Sequence, residues 1–278
     1  MTRRITLEEV VRLDYDKVAQ AIGEFLNSKL EEAGAKGYVV GLSGGVDSAT
    51  TFALAVKFVG RDKVLPLIMP DTEVTPQEDV EDAKDLASLF GVTPHIINIT
   101  PIVAVYKSAI PVYEGEEPDR VPLGNLRARI RMSLLYYYAN KLNRLVLGTG
   151  DRSEILIGYF TKYGDGGVDV LPIGVLYKNQ VRWLAKNLGV PDRIAFKPSS
   201  PRLWPGQTAE GELGVSYEDV DLVLYSIFDL GLDPREVPSA TGVPEAVVSR
   251  IMELHRKSKH KRVPPPSPPL DIVAEARI

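Results

Sequence analysis

The chain has 278 residues, 44% hydrophobic and 25% charged, with a formal charge of −4, a composition that suits a globular α/β protein able to bury its core without staples. It contains no cysteine, which excludes disulfides, thiolate metal sites, iron–sulfur ligation and a cysteine nucleophile. Neither a chain-wide basic excess, nor an apolar run of membrane-spanning length, nor an Arg-rich leader is visible, so a cytoplasmic protein with no nucleic-acid or membrane partner is expected.

Residues 14–30 place Val18, Ile22, Phe25, Leu26 and Leu30 at helical spacing and predict an amphipathic first helix. A short apolar run over 38–42 then ends in glycines and leads into a helix over 47–58, so the order is strand, tight loop, helix. The pattern repeats with a strand over 64–69, a helix over 76–90 opened by Pro76, and a strand over 95–99. After a longer crossover, residues 125–142 predict a helix with Ile130, Leu134, Leu135 and Tyr138 on one face, and 145–148 a fourth strand. Apolar strands alternating with helices argue for a parallel sheet covered on both faces. Beyond it, 158–170 is glycine-rich and polar, 179–188 reads as a helix, 197–214 as a long structureless loop, and 216–230 and 244–257 as closing helices. The expected organisation is one α/β domain over 1–262 and a proline-rich tail over 263–278.

The segment Gly41-Leu42-Ser43-Gly44-Gly45-Val46-Asp47-Ser48 falls where the first strand hands over to a helix, the place where open parallel sheets bind ligands. Its glycines admit close approach of an anion, the following helix offers free N–H groups, and Ser43 and Ser48 add hydroxyls. The spacing fits neither the Walker loop nor the dinucleotide fingerprint. It reads S-G-G-x-D-S and resembles the loop of ATP-pyrophosphatases. Asp47 would repel bare phosphate and makes sense with Mg²⁺ between them. The alternative is a glycine turn with a capping side chain.

Further along, Asn125-Leu126-Arg127-Ala128-Arg129-Ile130-Arg131-Met132, Leu147-Gly148-Thr149 with Glu154, the block from Phe160 to Asp169, Lys178, and Leu203-Trp204-Pro205-Gly206-Gln207-Thr208 resemble, in order, the motifs of ammonia-dependent NAD synthetases. The resemblance implies an adenine nucleotide alpha-hydrolase-like, Rossmann-like fold and a homodimer that uses ATP, Mg²⁺ and ammonia to amidate deamido-NAD. It implies that Asp47 and Glu154 hold the metal, that residues 41–48, Thr149, Lys178 and Ser200 contact ATP, and that Asp47, Glu154 and Lys178 serve catalysis. It further implies that Arg129, Lys162, Asp169, His260 and Lys261 hold deamido-NAD. Glu154 could instead complement a helix dipole, and the arginines could form a solvated face. Arg127 and Arg131 share a helical face that Arg129 does not. Ser200 stands where the family commonly has threonine, and Ala209 where it often has aspartate.

The competing readings are another ATP-pyrophosphatase-loop amidoligase, such as a GMP-synthetase-like enzyme, and a non-catalytic nucleotide-binding module. Free ammonia is the expected nitrogen source, because glutamine-using relatives add an amidase domain with a cysteine nucleophile.

Overall fold

The computed structural model describes residues 4–269. A short helix α1 (Leu7–Val11) precedes α2 (Tyr15–Ala33), which starts where the Asp14 carboxylate accepts the Lys17 N–H and ends at Gly34 in the left-handed conformation. Then follow β1 (Tyr38–Gly41), α3 (Val46–Val59), β2 (Val64–Ile68), α4 (Gln77–Leu89), β3 (His95–Ile96), α5 (Thr100–Ala109), α6 (Arg120–Leu142) and β4 (Leu145–Leu147). The strands form a parallel sheet in the order β3-β2-β1-β4. Chain order runs outward from β1 to β3 and then jumps back, so the gap between the carboxyl ends of β1 and β4 is the topological switch point.

Alternation along β1 explains the layering. Tyr38 and Val40 pack with α2, α3, α4 and α8 (Lys178–Asn187), whereas Val39 joins Ile99, Val103, Ile130 and Val146 beneath α5 and α6. Both faces are therefore covered, as the apolar strands predicted. The remaining helices are α7 (Arg152–Ile157), α9 (Asp192–Ala195), α10 (Ala209–Leu213), α11 (Tyr217–Phe228), α12 (Val237–Thr241) and α13 (Glu245–Lys257). Residues of α1, α7, α10, α11, α12 and α13 build a separate apolar cluster around Tyr217, Val220, Leu224 and Ile251.

Three differences from the sequence reading have local causes. The crossover after β3 contains α5, with Pro101 in its first turn. Helix α6 begins at Arg120 rather than 125, with Pro122 where no intrahelical N–H bond is needed. The 197–214 segment is not structureless throughout, because Thr208 caps α10 by accepting the Gly211 N–H. Residues 264–269 of the tail carry no regular structure, and 270–278 lie outside the described residues. No helix among the described residues is long and apolar enough to cross a membrane.

Candidate active site

The loop after β1 is held by its own hydroxyls. Ser43 and Ser48 Oγ lie 3.0 Å apart, Ser48 Oγ accepts the Ser43 N–H at 3.2 Å and donates to Gly45 O at 3.0 Å. Gly44 has φ +81°, and a Cβ there would meet Asp79 O at 2.2 Å, so this position admits no side chain. Gly45 then opens α3 without a side-chain cap, which leaves the first-turn N–H groups free for an anion. A cavity of about 430 Å³ lies above this helix start, lined by Ser43, Asp47, Ser48, Thr149 and Glu154 among others. Of residues 41–48, only Gly44 is outside the lining; its role is to seat the turn against α4.

Lys178, the first residue of α8, brings the site together. Its side chain is fully buried, with Nζ 2.7 Å from Asp47 Oδ2, 2.9 Å from Asp151 Oδ2 and 2.9 Å from Glu154 Oε1. These carboxylates come from the ends of the two strands that flank the switch point: Asp47 from the loop after β1, Asp151 and Glu154 from the segment after β4. Asp151 caps α7 by accepting the Glu154 N–H at 2.8 Å. Sequence reading missed it. The available signal was an N-cap aspartate three residues before Glu154, which reads as a helix start and says nothing about a distant lysine.

Electrostatics make the cluster short of positive charge. Burial pushes the Asp151 carboxyl up to about 7, with Lys178 opposing and Asp47 reinforcing the shift. Glu154 moves well above the ordinary carboxylate range, first through burial and then through Asp151 and Asp47, against the pull of Lys178. Burial would lower Lys178, but its three acidic neighbours outweigh it and hold the ammonium well above its usual value. Were all three carboxylates ionised around one ammonium, two negative charges would be uncompensated, and the upward shifts of Asp151 and Glu154 reflect that shortage. One ligand atom from each of Asp47, Asp151 and Glu154 lies within 4.8 Å of the others, and Asp47 Oδ1 is buried with no hydrogen-bond partner. An all-oxygen set with a spare buried lone pair fits a hard divalent cation such as Mg²⁺.

The arginines of α6 separate as their spacing required. Arg127 is fully buried and pairs with buried Asp71 at 2.7 Å while donating to Leu203 O at 3.0 Å. Arg131, one turn on, lines the cavity and donates Nε to Met69 O at 3.0 Å; burial lowers its guanidinium to about 10. No carboxylate pairs with Arg131 among the described residues. Arg129 points elsewhere, to Lys162 O at 3.3 Å, and Lys162 Nζ donates to His260 O at 2.9 Å. Asp169 accepts from Tyr136 Oη at 2.9 Å and the Val146 N–H at 2.8 Å. Arg129, Lys162, Asp169 and His260 therefore lie outside the cavity lining, whereas Lys261 lines it and binds Gly158 O and Phe160 O. Ser200 also lines the cavity, with its hydroxyl proton directed to Gln207 O.

The 197–207 segment forms one wall of the cavity. Lys197 pairs with Asp79 at 2.8 Å and with Asp82, and Arg202 with Asp79 at 2.9 Å, so the wall is fastened to α4.

A parallel sheet covered by helices, with its ligand site at the switch point, is an α/β architecture, and its structural neighbours place it in the adenine nucleotide alpha-hydrolase-like fold class. Residues 18–265 match the family model of NAD synthase. The chain is 61% identical to the NH(3)-dependent NAD(+) synthetase of Aeropyrum pernix over 267 residues, covering 96% of this chain and 93% of that one. Among solved structures, it is similar to the NMN synthetase of Francisella tularensis, with TM-score 0.81 and 35% identity over 92% of this chain and 99% of that chain. It is also similar to the NH3-dependent NAD synthetase of Campylobacter jejuni, with TM-score 0.77 and 29% identity over 92% and 100%. The chain belongs to the NAD synthase family.

Proposed function

We propose that the chain is an ammonia-dependent NAD synthetase, a carbon–nitrogen ligase that uses ATP to amidate deamido-NAD, releasing AMP and pyrophosphate. The observation that carries this reading is the convergence of the anion loop with Asp47 and Glu154 in the lining of one cavity, with Lys178 buried behind the lining and bonded to both carboxylates. A carboxylate is a poor acyl donor because oxide is a poor leaving group. In the first step its oxygen attacks the α-phosphorus of ATP and the bond to pyrophosphate breaks. In the second, ammonia attacks the acyl carbon, AMP leaves, and the nitrogen gives up a proton.

The protein's part is positioning and electrostatics. The N–H groups at the start of α3, with Ser43 and Ser48, receive the departing pyrophosphate, Arg131 in the cavity lining faces the charge that develops on the phosphates, and Lys178 acts from behind the lining by ordering Asp47 and Glu154. We assign Asp47 and Glu154, with Asp151 as a third carboxylate, to a bound Mg²⁺, which when present neutralises phosphate charge. The wall from Lys197 to Gln207 keeps water from the acyl-adenylate. Helix α11 packs on both α7 and α8, which supports treating the sheet and the C-terminal helices as one catalytic unit. A homodimer is the assembly we favour, supported by exposed Val105, Tyr106 and Val112 after β3 and Tyr137 on α6. Arg129 and Tyr136, the partner of Asp169, are two turns apart on that helix, so the proposed dinucleotide contacts run along it.

The test is to incubate the purified protein with ATP, Mg²⁺, ammonium salt and deamido-NAD and to follow NAD. Glutamine with ammonia scavenged, and nicotinate mononucleotide in place of deamido-NAD, are the parallel arms. NAD from ammonium alone is expected. Amidation of the mononucleotide instead would give the product for which the Francisella relative is named, NMN, and would move the substrate assignment; no product in any arm would overturn the function.

A further inference from the structure

Asp221 lies on α11, in the C-terminal apolar cluster, and its side chain is fully buried. No lysine or arginine pairs with it among the described residues, and burial pushes its carboxyl up to about 6. A buried charge with no counterion is costly, so the contacts it makes call for a reason. Oδ1 accepts from Ser153 Oγ at 2.6 Å; Oδ2 accepts from the Asn179 N–H at 2.8 Å and from Asn179 Nδ2 at 2.7 Å. Ser153 Oγ in turn accepts the Lys178 N–H at 3.0 Å.

Ser153 directly precedes Glu154, and Asn179 directly follows Lys178. The N–H groups of Lys178 and Asn179 are the first two of α8, with no partner inside that helix. One carboxylate from a third helix thus clamps the first turn of α7 to the first turn of α8. These two turns carry the groups that meet as the Lys178–Glu154 contact of 2.9 Å.

Resting on the function proposed above, we infer that Asp221 is a positioning residue that, through Ser153 and Asn179, holds Lys178 and Glu154 at their working separation. Its donors all point inward, so the position calls for a group that only accepts hydrogen bonds. Displacement of a catalytic group by about 1 Å lowers rate on the order of 10²-fold, which sets the scale of the effect.

The experiment compares wild type, D221N, S153A and the double variant in the full chain, measuring kcat, KM for deamido-NAD, the fraction of active sites and the thermal midpoint. In D221N the amide oxygen can still serve Asn179, so the variant should fold, but the amide NH2 meets the hydroxyl that Ser153 donates, so the bond to α7 must reverse and the Ser153 proton loses its acceptor. We expect kcat per active site to fall at least about 10-fold with KM within about twofold, a similar fall in S153A, and no further fall in the double variant, because both act through one linkage. Near-normal kcat in D221N, single effects that multiply, or a loss explained by a smaller active fraction would each overturn the inference. Should D221N not fold, S153A decides alone, since it leaves Asp221 bound to Asn179 and cuts the link to α7; a normal kcat there refutes the clamp. Failure of wild type to form NAD would instead count against the function itself.

Discussion

The ammonium of Lys178 lies 2.7 Å from Oδ2 of Asp47, across 131 residues of sequence. Asp47 thus divides its two oxygens between a lysine and a buried, unpartnered position. That division suits a residue that holds a cation on one side and orders a lysine on the other.

Asp47→Asn and Glu154→Gln should each lower the rate of pyrophosphate release on the order of 10²–10³-fold, the scale for losing one preorganised electrostatic contact. Both variants should fold, since each removes one of three crowded acids. Normal release at saturating Mg²⁺ in either variant would remove that residue from the metal site.

Lys178→Met should be inactive and less stable by about 3–5 kcal/mol, because removing one partner leaves buried charges uncompensated. Mg²⁺ should raise the thermal midpoint of this variant more than that of Asp47→Asn, which lacks one of the assigned ligands. Equal shifts in the two would argue that the divalent cation binds elsewhere.

The Asp71–Arg127 pair should show its contribution through pH. Burial works to raise the Asp71 carboxyl, but its bonds to Arg127 and Thr100 and the Glu73 N–H outweigh this and hold it below 3.8. A depressed folded-state value means the stabilisation is complete above the unfolded value and is lost as pH falls through the folded one. Asp71→Asn should cost about 3–5 kcal/mol at neutral pH as a broken buried pair, and the part of that gap that comes from the lowered carboxyl should shrink as pH falls below about 4. Denaturant melts at several pH values check this; a constant gap down to strongly acid conditions would contradict it.

The 197–207 wall should respond both to its fastenings and to ligand. Asp79→Ala removes the partner of Arg202 and one of the two partners of Lys197, which keeps Asp82, and should make this segment more open to limited proteolysis. ATP with deamido-NAD should protect it in wild type. Identical cleavage with and without ligands would show that the wall does not order further on binding.

Several features were legible without coordinates because they are local. The run 38–48 carries its own strand, turn and helix start, and the structure differs only at the edges, with β1 ending at Gly41 and α3 beginning at Val46. The division of Arg127 and Arg131 from Arg129 followed from helical spacing alone. Helix α5 was not legible as a helix, since its apolar residues mostly stay exposed and only Val103 is buried.

What sequence by itself determined is therefore the class of fold and the anion loop with Asp47, carried by contiguous segments, and the candidacy of Glu154 and Lys178, carried by the family resemblance. Tertiary structure decided which groups meet. Asp151 looks like an ordinary helix cap until β4 lies beside β1 and α8 delivers Lys178 between them. The seating of Gly44 on Asp79 and the clamp at Asp221 likewise join segments far apart in the chain. Periodicity and spacing encode local backbone geometry, whereas a buried ion pair forms only where strand order and helix packing bring distant side chains within about 3 Å of one another.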